Sequence, residues 1–234
     1  MHLFYAPELK KDTHQLSQEE SRHCIKVLRL GKGDHLHLTD GRGGLYRARI
    51  ASDDASRCTV EIVDQQQGWG KRPFFLHLAI APPKNIKRFE WFLEKATEIG
   101  VDEITPLLCF HSERKYLKNH RMMRILIAAM KQSLKAYLPT LHEMTPFEDF
   151  VTTHTEKNGY IAHLDQGQSA HIRQVYPAGQ DAVILIGPEG DFSEDELEKA
   201  KRCGFQPVKL GESRLRTETA GIAACHSIHL LNGF

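Results

Sequence analysis

The sequence predicts an α/β protein in two parts, a small β-rich domain followed by a larger domain built on a mostly parallel sheet. Three observations predict it. Residues 1–70 contain short alternating segments separated by tight turns, as in small β-barrels. The stretch 64–73 (DQQQGWGKRP) is polar and glycine-rich, which is typical of a linker. From Phe74 onward, apolar strands alternate with amphipathic helices, the pattern of a parallel sheet covered on both faces. We therefore expect domains at 1–70 and 74–234.

The elements of the first domain follow from period-two alternation and from turn residues. Residues 35–39 and 45–50 alternate around the glycine-rich turn DGRGG, which predicts a hairpin, and 58–63 (CTVEIV) predicts a further strand. Ser17 and Glu20 have the spacing of a capping box, so a helix is expected to begin at Ser17.

The elements of the second domain follow from apolar runs and from three-and-four spacing. The last helix carries an apolar face that either packs in the core or meets a partner. The predicted strands are 75–81, 103–108, 159–164, 181–186 and 206–210, and the predicted helices are 87–99, 121–136, 193–203 and 217–231.

Composition excludes several classes of protein. Of 234 residues, 41% are apolar, enough for a globular core, yet no apolar run approaches the ~20 residues that span a bilayer. The N-terminus lacks the layout of a signal peptide, so no membrane association and a cytoplasmic location are expected. The five cysteines stand singly and the fourteen histidines show no ligand spacing, so we predict no metal site.

Charge is segregated along a chain whose net charge is only +1. The segment 21–50 carries +5 and the segment 113–135 carries +6, whereas 187–204 carries −3. Two basic patches on a nearly neutral protein favour a polyanionic ligand bound along part of the surface. Solvated surface faces are the alternative for either patch alone.

Two loops each follow a predicted strand of the second domain, at the place where open α/β sheets bind ligands. In the first, 187–193 (GPEGDFS), Gly187 and Gly190 allow a sharp turn and close approach to a ligand. The alternative is an ordinary strand-to-helix turn.

The second loop, 210–220 (LGESRLRTETA), places arginines just before a helix. A helix N-terminus disfavours cations, so Arg214 and Arg216 favour a phosphate or carboxylate ligand nearby. The alternative is a surface ion pair between Arg216 and Glu218.

The order strand, GPEG, capped helix, strand, LG, LRTETA resembles the C-terminal signature of the SPOUT methyltransferases. The resemblance is strongest to the bacterial 16S rRNA uridine-N3 methyltransferases, the RsmE type. It extends over the chain, since 23–30 (HCIKVLRL), 33–41 and 95–101 (KATEIGV) resemble other parts of that family. Three positions depart from the family pattern: Asp191 and Leu134 stand where glycine is usual, and Lys131 stands where glutamate is common.

The resemblance implies a small N-terminal PUA-like β-barrel, a C-terminal trefoil-knotted (SPOUT) parallel-sheet domain and a homodimer. It implies S-adenosylmethionine as the cofactor, held mainly by the two loops. The implied cofactor residues are Leu164, Gly187, Glu189, Gly190, Leu210, Gly211, Leu215, Arg216, Thr217 and Ala220. Main-chain groups of such loops hold the polar parts of a cofactor, and leucines offer apolar walls.

The implied reaction is methylation of N3 of a uridine in 16S rRNA of the small ribosomal subunit. Uracil N3 must lose a proton, so Glu218 is the candidate base and Arg216 the candidate stabiliser of the resulting anion. The candidates for the RNA backbone are the basic residues Arg22, His23, Lys26, Arg29, Arg114, Lys115 and Lys118. Two alternatives stay open: a SPOUT ribose 2′-O-methyltransferase acting on rRNA or tRNA, and a non-catalytic RNA-binding protein.

Overall fold

The computed structural model describes residues 1–9, 12–154, 158–163 and 169–234. The chain divides into two compact units. The first comprises residues 1–71 and 127–138, and the second comprises residues 72–126 and 139–234. The first unit thus includes a segment that lies far along the chain from the rest of it.

The first unit is a curled sheet that forms a half-barrel. Its elements are β1 (Leu3–Tyr5), β2 (Thr13–Gln15), α1 (Gln18–Arg22), a π-helical turn (His23–Val27), β3 (His35–Thr39), β4 (Leu45–Ser52) and β5 (Thr59–Gln66). The strand order is β1-β3-β4-β5-β2, with β1 parallel to β3 and the other pairs antiparallel. Its hydrophobic core contains Phe4, Leu38 and Ile50, and the burial of alternate residues confirms the predicted alternation of β3 and β4.

The predicted capping box of α1 is only half formed. The Ser17 hydroxyl accepts a hydrogen bond from the Glu20 amide at 3.2 Å, as predicted. The Glu20 carboxylate instead accepts from Lys131 Nζ at 2.5 Å, a contact within the first unit. Glu20 therefore joins the 127–138 segment to the half-barrel.

The second unit is built on a parallel sheet, as predicted. Its strands are β6 (Leu76–Ile80), β7 (Glu103–Leu108), β8 (Thr140–Leu141), β9 (Thr145–Pro146), β10 (Gly159–Ala162), β11 (Ala170–His171), β12 (Ala182–Ile186) and β13 (Gln206–Lys209). In the described residues their order is β11-β13-β10-β12-β6-β7-β8, with β9 beside β7, and every pair is parallel. Because both faces are covered, β6 and β12 are buried along their whole length.

The helices are α2 (Ile86–Ile99), α3 (Asn119–Gln132), α4 (Phe147–Thr153), α5 (Ile172–Val175), α6 (Glu194–Arg202) and α7 (Thr217–Leu231). Helix α2 is capped by Asn85, whose side chain accepts from the Lys87 amide at 3.1 Å. It buries Phe92 against α7, where a Cβ on Gly221 would lie 2.6 Å from the Phe92 ring. Glycine at position 221 therefore permits the close packing of the two helices.

The predicted end of α3 at residue 136 is wrong, because the helix stops at Gln132. Leu134 has a φ of 57°, the left-handed conformation that closes a helix. The Lys135 amide donates to the Met130 carbonyl at 3.0 Å, and the Leu134 amide donates to the Lys131 carbonyl at 3.2 Å. This Schellman geometry normally uses glycine, which accounts for the glycine expected at 134 from the family resemblance.

The strand order of the second unit brings three strand ends together. Strand β10 lies between β12 and β13, and all three are parallel, so their carboxyl ends meet at one edge of the sheet. The trefoil knot that the resemblance implies stays a prediction. In the part of the chain described, no helix combines the length and the apolar character needed to cross a membrane.

Candidate functional site

The two loops singled out in the sequence lie side by side. The first follows β12 and the second follows β13. Thr217, the first residue of α7, donates from its hydroxyl to the Gly187 carbonyl at 3.0 Å, and this hydrogen bond is buried. A buried carbonyl needs a partner, so the bond holds the end of the second loop against the start of the first.

A cavity of about 620 Å³ opens between these loops at the carboxyl edge of the sheet. This volume is in the range of small-molecule cofactor sites. Eight of the residues that the sequence assigned to cofactor binding lie on its wall: Gly187, Glu189, Leu210, Gly211, Leu215, Arg216, Thr217 and Ala220. A Cβ on Gly211 would meet no atom within 4 Å, so the cavity is open beside this residue.

The other two predicted cofactor residues, Gly190 and Leu164, are not among those that line the cavity. Gly190 is not on the wall, and a Cβ there would lie 3.0 Å from the His111 side chain. Its small size therefore serves the packing of the loop against His111. Leu164 lies outside the described residues.

Several wall residues were not predicted from the sequence. Arg88 comes from the first turn of α2, and His163 follows β10. Both are far along the chain from the loops, and no short motif marks them. The others lie in the two loops or at strand ends: Ala162, Ile186, Pro188, Asp191, Lys209 and Ser213. Arg214, which the sequence had placed near an anionic ligand, is also on the wall.

Asp191 holds the turn of the first loop. Its φ is 62°, a left-handed conformation that aspartate tolerates better than most residues. One carboxylate oxygen accepts from the Phe192 amide at 2.8 Å, and the other lies 2.8 Å from Nδ1 of His163. The Asp191 carbonyl lies 3.0 Å from Nδ1 of His111. These contacts stabilise a turn that the family resemblance assigns to glycine.

Glu189 also shapes the loop. Its carboxylate accepts from the Lys84 amide at 3.0 Å, which ties the first loop to the segment between β6 and α2. Glu189 is exposed and on the cavity wall, so the first loop contributes two carboxylates, Glu189 and Asp191, to a wall that also carries Arg88, Lys209, Arg214 and Arg216.

The two predicted catalytic residues occupy different environments. Arg216 is exposed on the wall at the N-cap of α7, where its side chain makes no capping bond. Glu218 is 7% exposed and is not on the wall. It forms an ion pair with Arg88, with Oε1 3.6 Å from Nε, while its buried Oε2 has no hydrogen-bond partner among the described residues.

The predicted RNA-binding residues form one set in each unit. In the first unit, four exposed residues lie on the end of α1 and just beyond it: Arg22, His23, Lys26 and Arg29. In the second unit, Lys115 and Lys118 are exposed. Arg114 is half-buried and donates to the carbonyls of Pro83 and Lys84, so its guanidinium is committed to the fold.

The fold and the cavity together define an α/β protein with a cavity of cofactor size at the carboxyl edge of a parallel sheet, where proteins of this architecture bind their ligands. Residues 70–229 match the RNA methyltransferase domain family, and residues 16–63 match the RNA methyltransferase PUA domain family.

Named relatives agree with these matches. The chain is 32% identical to Ribosomal RNA small subunit methyltransferase E of Synechocystis sp. over 98% of this chain and 77% of that protein. A solved structure of a probable rRNA-methyltransferase from Porphyromonas gingivalis superposes with a TM-score of 0.94, at 44% identity, over 100% of this chain and 99% of that one. A Ribosomal RNA small subunit methyltransferase E from Neisseria gonorrhoeae, bound to S-adenosyl methionine, superposes with a TM-score of 0.86, at 28% identity, over 99% and 98%. The chain therefore belongs to the RNA methyltransferase family and, within it, to the family of Ribosomal RNA small subunit methyltransferase E.

Proposed function

We propose that this protein transfers a methyl group from S-adenosylmethionine to N3 of a uridine in 16S rRNA. The observation that carries the proposal is the Thr217–Gly187 hydrogen bond, which joins two loops around one cavity of about 620 Å³. The Neisseria gonorrhoeae relative, of known structure, binds this cofactor. The names of the relatives support small-subunit rRNA as the substrate.

The residues of the cavity fit this cofactor. Leu210 and Leu215 offer apolar contacts, and the space beside Gly211 admits a ligand against the main chain. The carboxylates of Glu189 and Asp191 attract a sulfonium cation. When bound, the cofactor supplies an activated methyl group on a cationic sulfur.

The protein must bring the uracil to that methyl group and manage a proton. Uracil N3 becomes nucleophilic once its proton passes to solvent water, and the resulting negative charge is shared with the neighbouring oxygens until N3 accepts the methyl group. Arg216 is exposed on the wall and is suited to stabilise that charge.

Glu218 is less suited to be the base than the sequence suggested. It is buried off the wall, and its ion pair with Arg88 supports a positioning role for it. Arg88 itself reaches the wall, so Glu218 orients a second cation toward the substrate.

RNA must present the base unpaired and turned out of its stack. The set at Arg22, His23, Lys26 and Arg29 is exposed and basic. We assign it to the phosphate backbone of the RNA, together with Lys115 and Lys118.

We also propose that the protein forms a homodimer. Two large apolar residues of the second unit are exposed to solvent, Trp91 at 43% and Leu230 at 66%, and a partner subunit would cover them. An enzyme with this substrate works where ribosomes are assembled, in the bacterial cytoplasm.

The test is methyl transfer with purified protein. Labelled S-adenosylmethionine is incubated with 16S rRNA or small subunits that lack the modification, and the digested nucleosides are identified by mass spectrometry. We expect N3-methyluridine. Label on a ribose 2′-hydroxyl would establish the alternative enzyme class, and cofactor binding without any transfer would favour a non-catalytic RNA-binding protein.

Arg216→Ala is expected to lower kcat about 10²–10³-fold, because the variant loses a charge aimed at the developing anion. Arg202→Ala is the matched control, since Arg202 is an exposed arginine of α6 away from the cavity wall. Unchanged transfer by Arg216→Ala would remove this residue from the mechanism.

A further inference from the structure

A second cluster of reactive side chains lies in the same sheet, at the opposite end of the strands from the cofactor cavity. His77 is the second residue of β6 and Glu103 is the first residue of β7, and the two are register partners in adjacent strands. His142 directly follows β8, and its amide donates to the Ile104 carbonyl of β7 at 2.9 Å. The register of three neighbouring segments thus brings two imidazoles and a carboxylate together.

The ligand-type atoms of this cluster are close enough to share one ion. One atom of each residue lies within 4.8 Å of the other two. Glu103 Oε2 is 2.8 Å from Nε2 of His142 and 3.6 Å from Nδ1 of His77. Two atoms bound to one tetrahedral ion at about 2.1 Å are about 3.4 Å apart, so the observed separations bracket that value.

The separation of 3.6 Å between His77 and Glu103 is too long for a hydrogen bond. The two atoms nevertheless face each other in a confined place, since the His77 side chain is only 4% exposed. A bridging cation explains why a ring nitrogen is directed at a carboxylate without bonding to it.

The other ring nitrogen of His77 is held by the protein. Nε2 lies 2.8 Å from the Thr105 hydroxyl, and the ring packs edge-on against Phe150 at 5.3 Å. Metal-bound histidines commonly have such a partner on the second nitrogen, because it fixes the ring orientation and leaves the first nitrogen for the ion.

We propose that His77, Glu103 and His142 form a binding site for one divalent transition-metal ion of the zinc type. Two nitrogens and one carboxylate oxygen suit such ions, and water completes the tetrahedron. The ion ties β6, β7 and the segment after β8 at the amino-terminal ends of the strands, so its role is to stabilise the sheet. This proposal does not depend on the proposed methyl transfer.

The experiment uses the full chain, stripped with EDTA and dialysed into chelator-free buffer, with Zn²⁺ as the probe. We expect one equivalent to bind in competition with a chromophoric chelator. A concentration a hundred times the dissociation constant should raise Tm by about 5–10 °C. Co²⁺ in place of Zn²⁺ should give the visible absorption of a tetrahedral site.

Glu103→Gln is the principal variant, because it keeps a hydrogen-bonding side chain of the same size at a half-buried position. It should keep the Tm of the stripped protein within a few degrees, yet lose the Zn²⁺-dependent rise and the Co²⁺ absorption. His142→Gln should do the same. The matched control is His120→Gln, which removes an exposed histidine outside the cluster and should retain both signals.

Two results would overturn the proposal. One is a wild-type protein that takes up no stoichiometric Zn²⁺ and shows no Tm shift. The other is uptake that Glu103→Gln and His142→Gln preserve, which would assign the ion to surface histidines. Titration with S-adenosylmethionine keeps the two proposals distinct, since the cofactor cavity is at the other edge of the sheet and its affinity should not change in these variants.

Discussion

Thr217→Val tests whether the cavity depends on the bond between its two loops. Valine has the shape of threonine but lacks the hydroxyl that donates to the Gly187 carbonyl. Thr217 is 5% exposed and Gly187 is also buried, so water has little access to the Gly187 carbonyl once its donor is removed. Leaving one buried acceptor unpaired costs about 1–3 kcal/mol.

This loss of free energy destabilises the joined arrangement of the two loops that forms the cofactor cavity. If cofactor binding requires the joined loops, its dissociation constant rises by the same free energy, or about 5- to 150-fold. Isothermal titration with S-adenosylmethionine measures this change, and thermal unfolding measures any loss of stability. Thr217→Ser keeps the hydroxyl and should restore most of the affinity.

The matched control is Thr219→Val, two residues along the same helix at an exposed position. It removes a hydroxyl from the same turn of α7 without touching the loops. Equal affinity in Thr217→Val and wild type would refute the reasoning, because the loops would then hold the cavity without this bond. If Thr217→Val and Thr219→Val lose the same affinity for S-adenosylmethionine, the effect comes from a change in helix α7 and not from the lost hydrogen bond.

The remaining predictions concern the two residues with left-handed backbone in places where the resemblance expects glycine. Leu134→Gly should stabilise the protein by roughly 1 kcal/mol in denaturant unfolding, because glycine adopts φ of 57° without strain. Leu134→Ala should bring no such gain, and a gain with alanine would show that the leucine side chain, not the backbone, is the cause. Asp191→Ala should be less stable than Asp191→Gly by roughly 1–2 kcal/mol, since both variants lose the carboxylate contacts but only glycine relieves the strain of φ 62°. Equal stability of the two Asp191 variants would contradict this account.

Long elements with strong periodicity could be predicted from the sequence. The bounds of β7 and α7 agree with the prediction at both ends. The strands β8, β9 and β11 were not predicted, because each has only two residues and such a segment carries no periodic pattern. The end of α3 was misplaced because a leucine gives no local stop signal, although its backbone here adopts the conformation of a C-terminal glycine.

The candidate site was predictable only where its residues are neighbours in the chain. The loops after β12 and β13 carry compact motifs, so eight wall residues could be named in advance. Arg88 and His163 reach the wall through sheet order and helix packing, which no local pattern encodes. The same holds for His77, Glu103 and His142, whose separation along the chain hides them from a search for short ligand spacings.

At each of the three positions that depart from the family pattern, neighbouring groups make contacts that accommodate the unexpected residue. The Asp191 carboxylate accepts a hydrogen bond from the Phe192 amide and contacts His163. These contacts stabilise aspartate in a left-handed turn where glycine is usual. Lys131 places a positive charge where the resemblance expects a negative one, and the chain supplies Glu20 at 2.5 Å. Leu134 keeps both main-chain bonds of the helix end, at the cost of its φ. None of these contacts involves the hydrogen bond between Thr217 and Gly187. The three departures from the family pattern therefore change only local contacts, and the two loops remain joined.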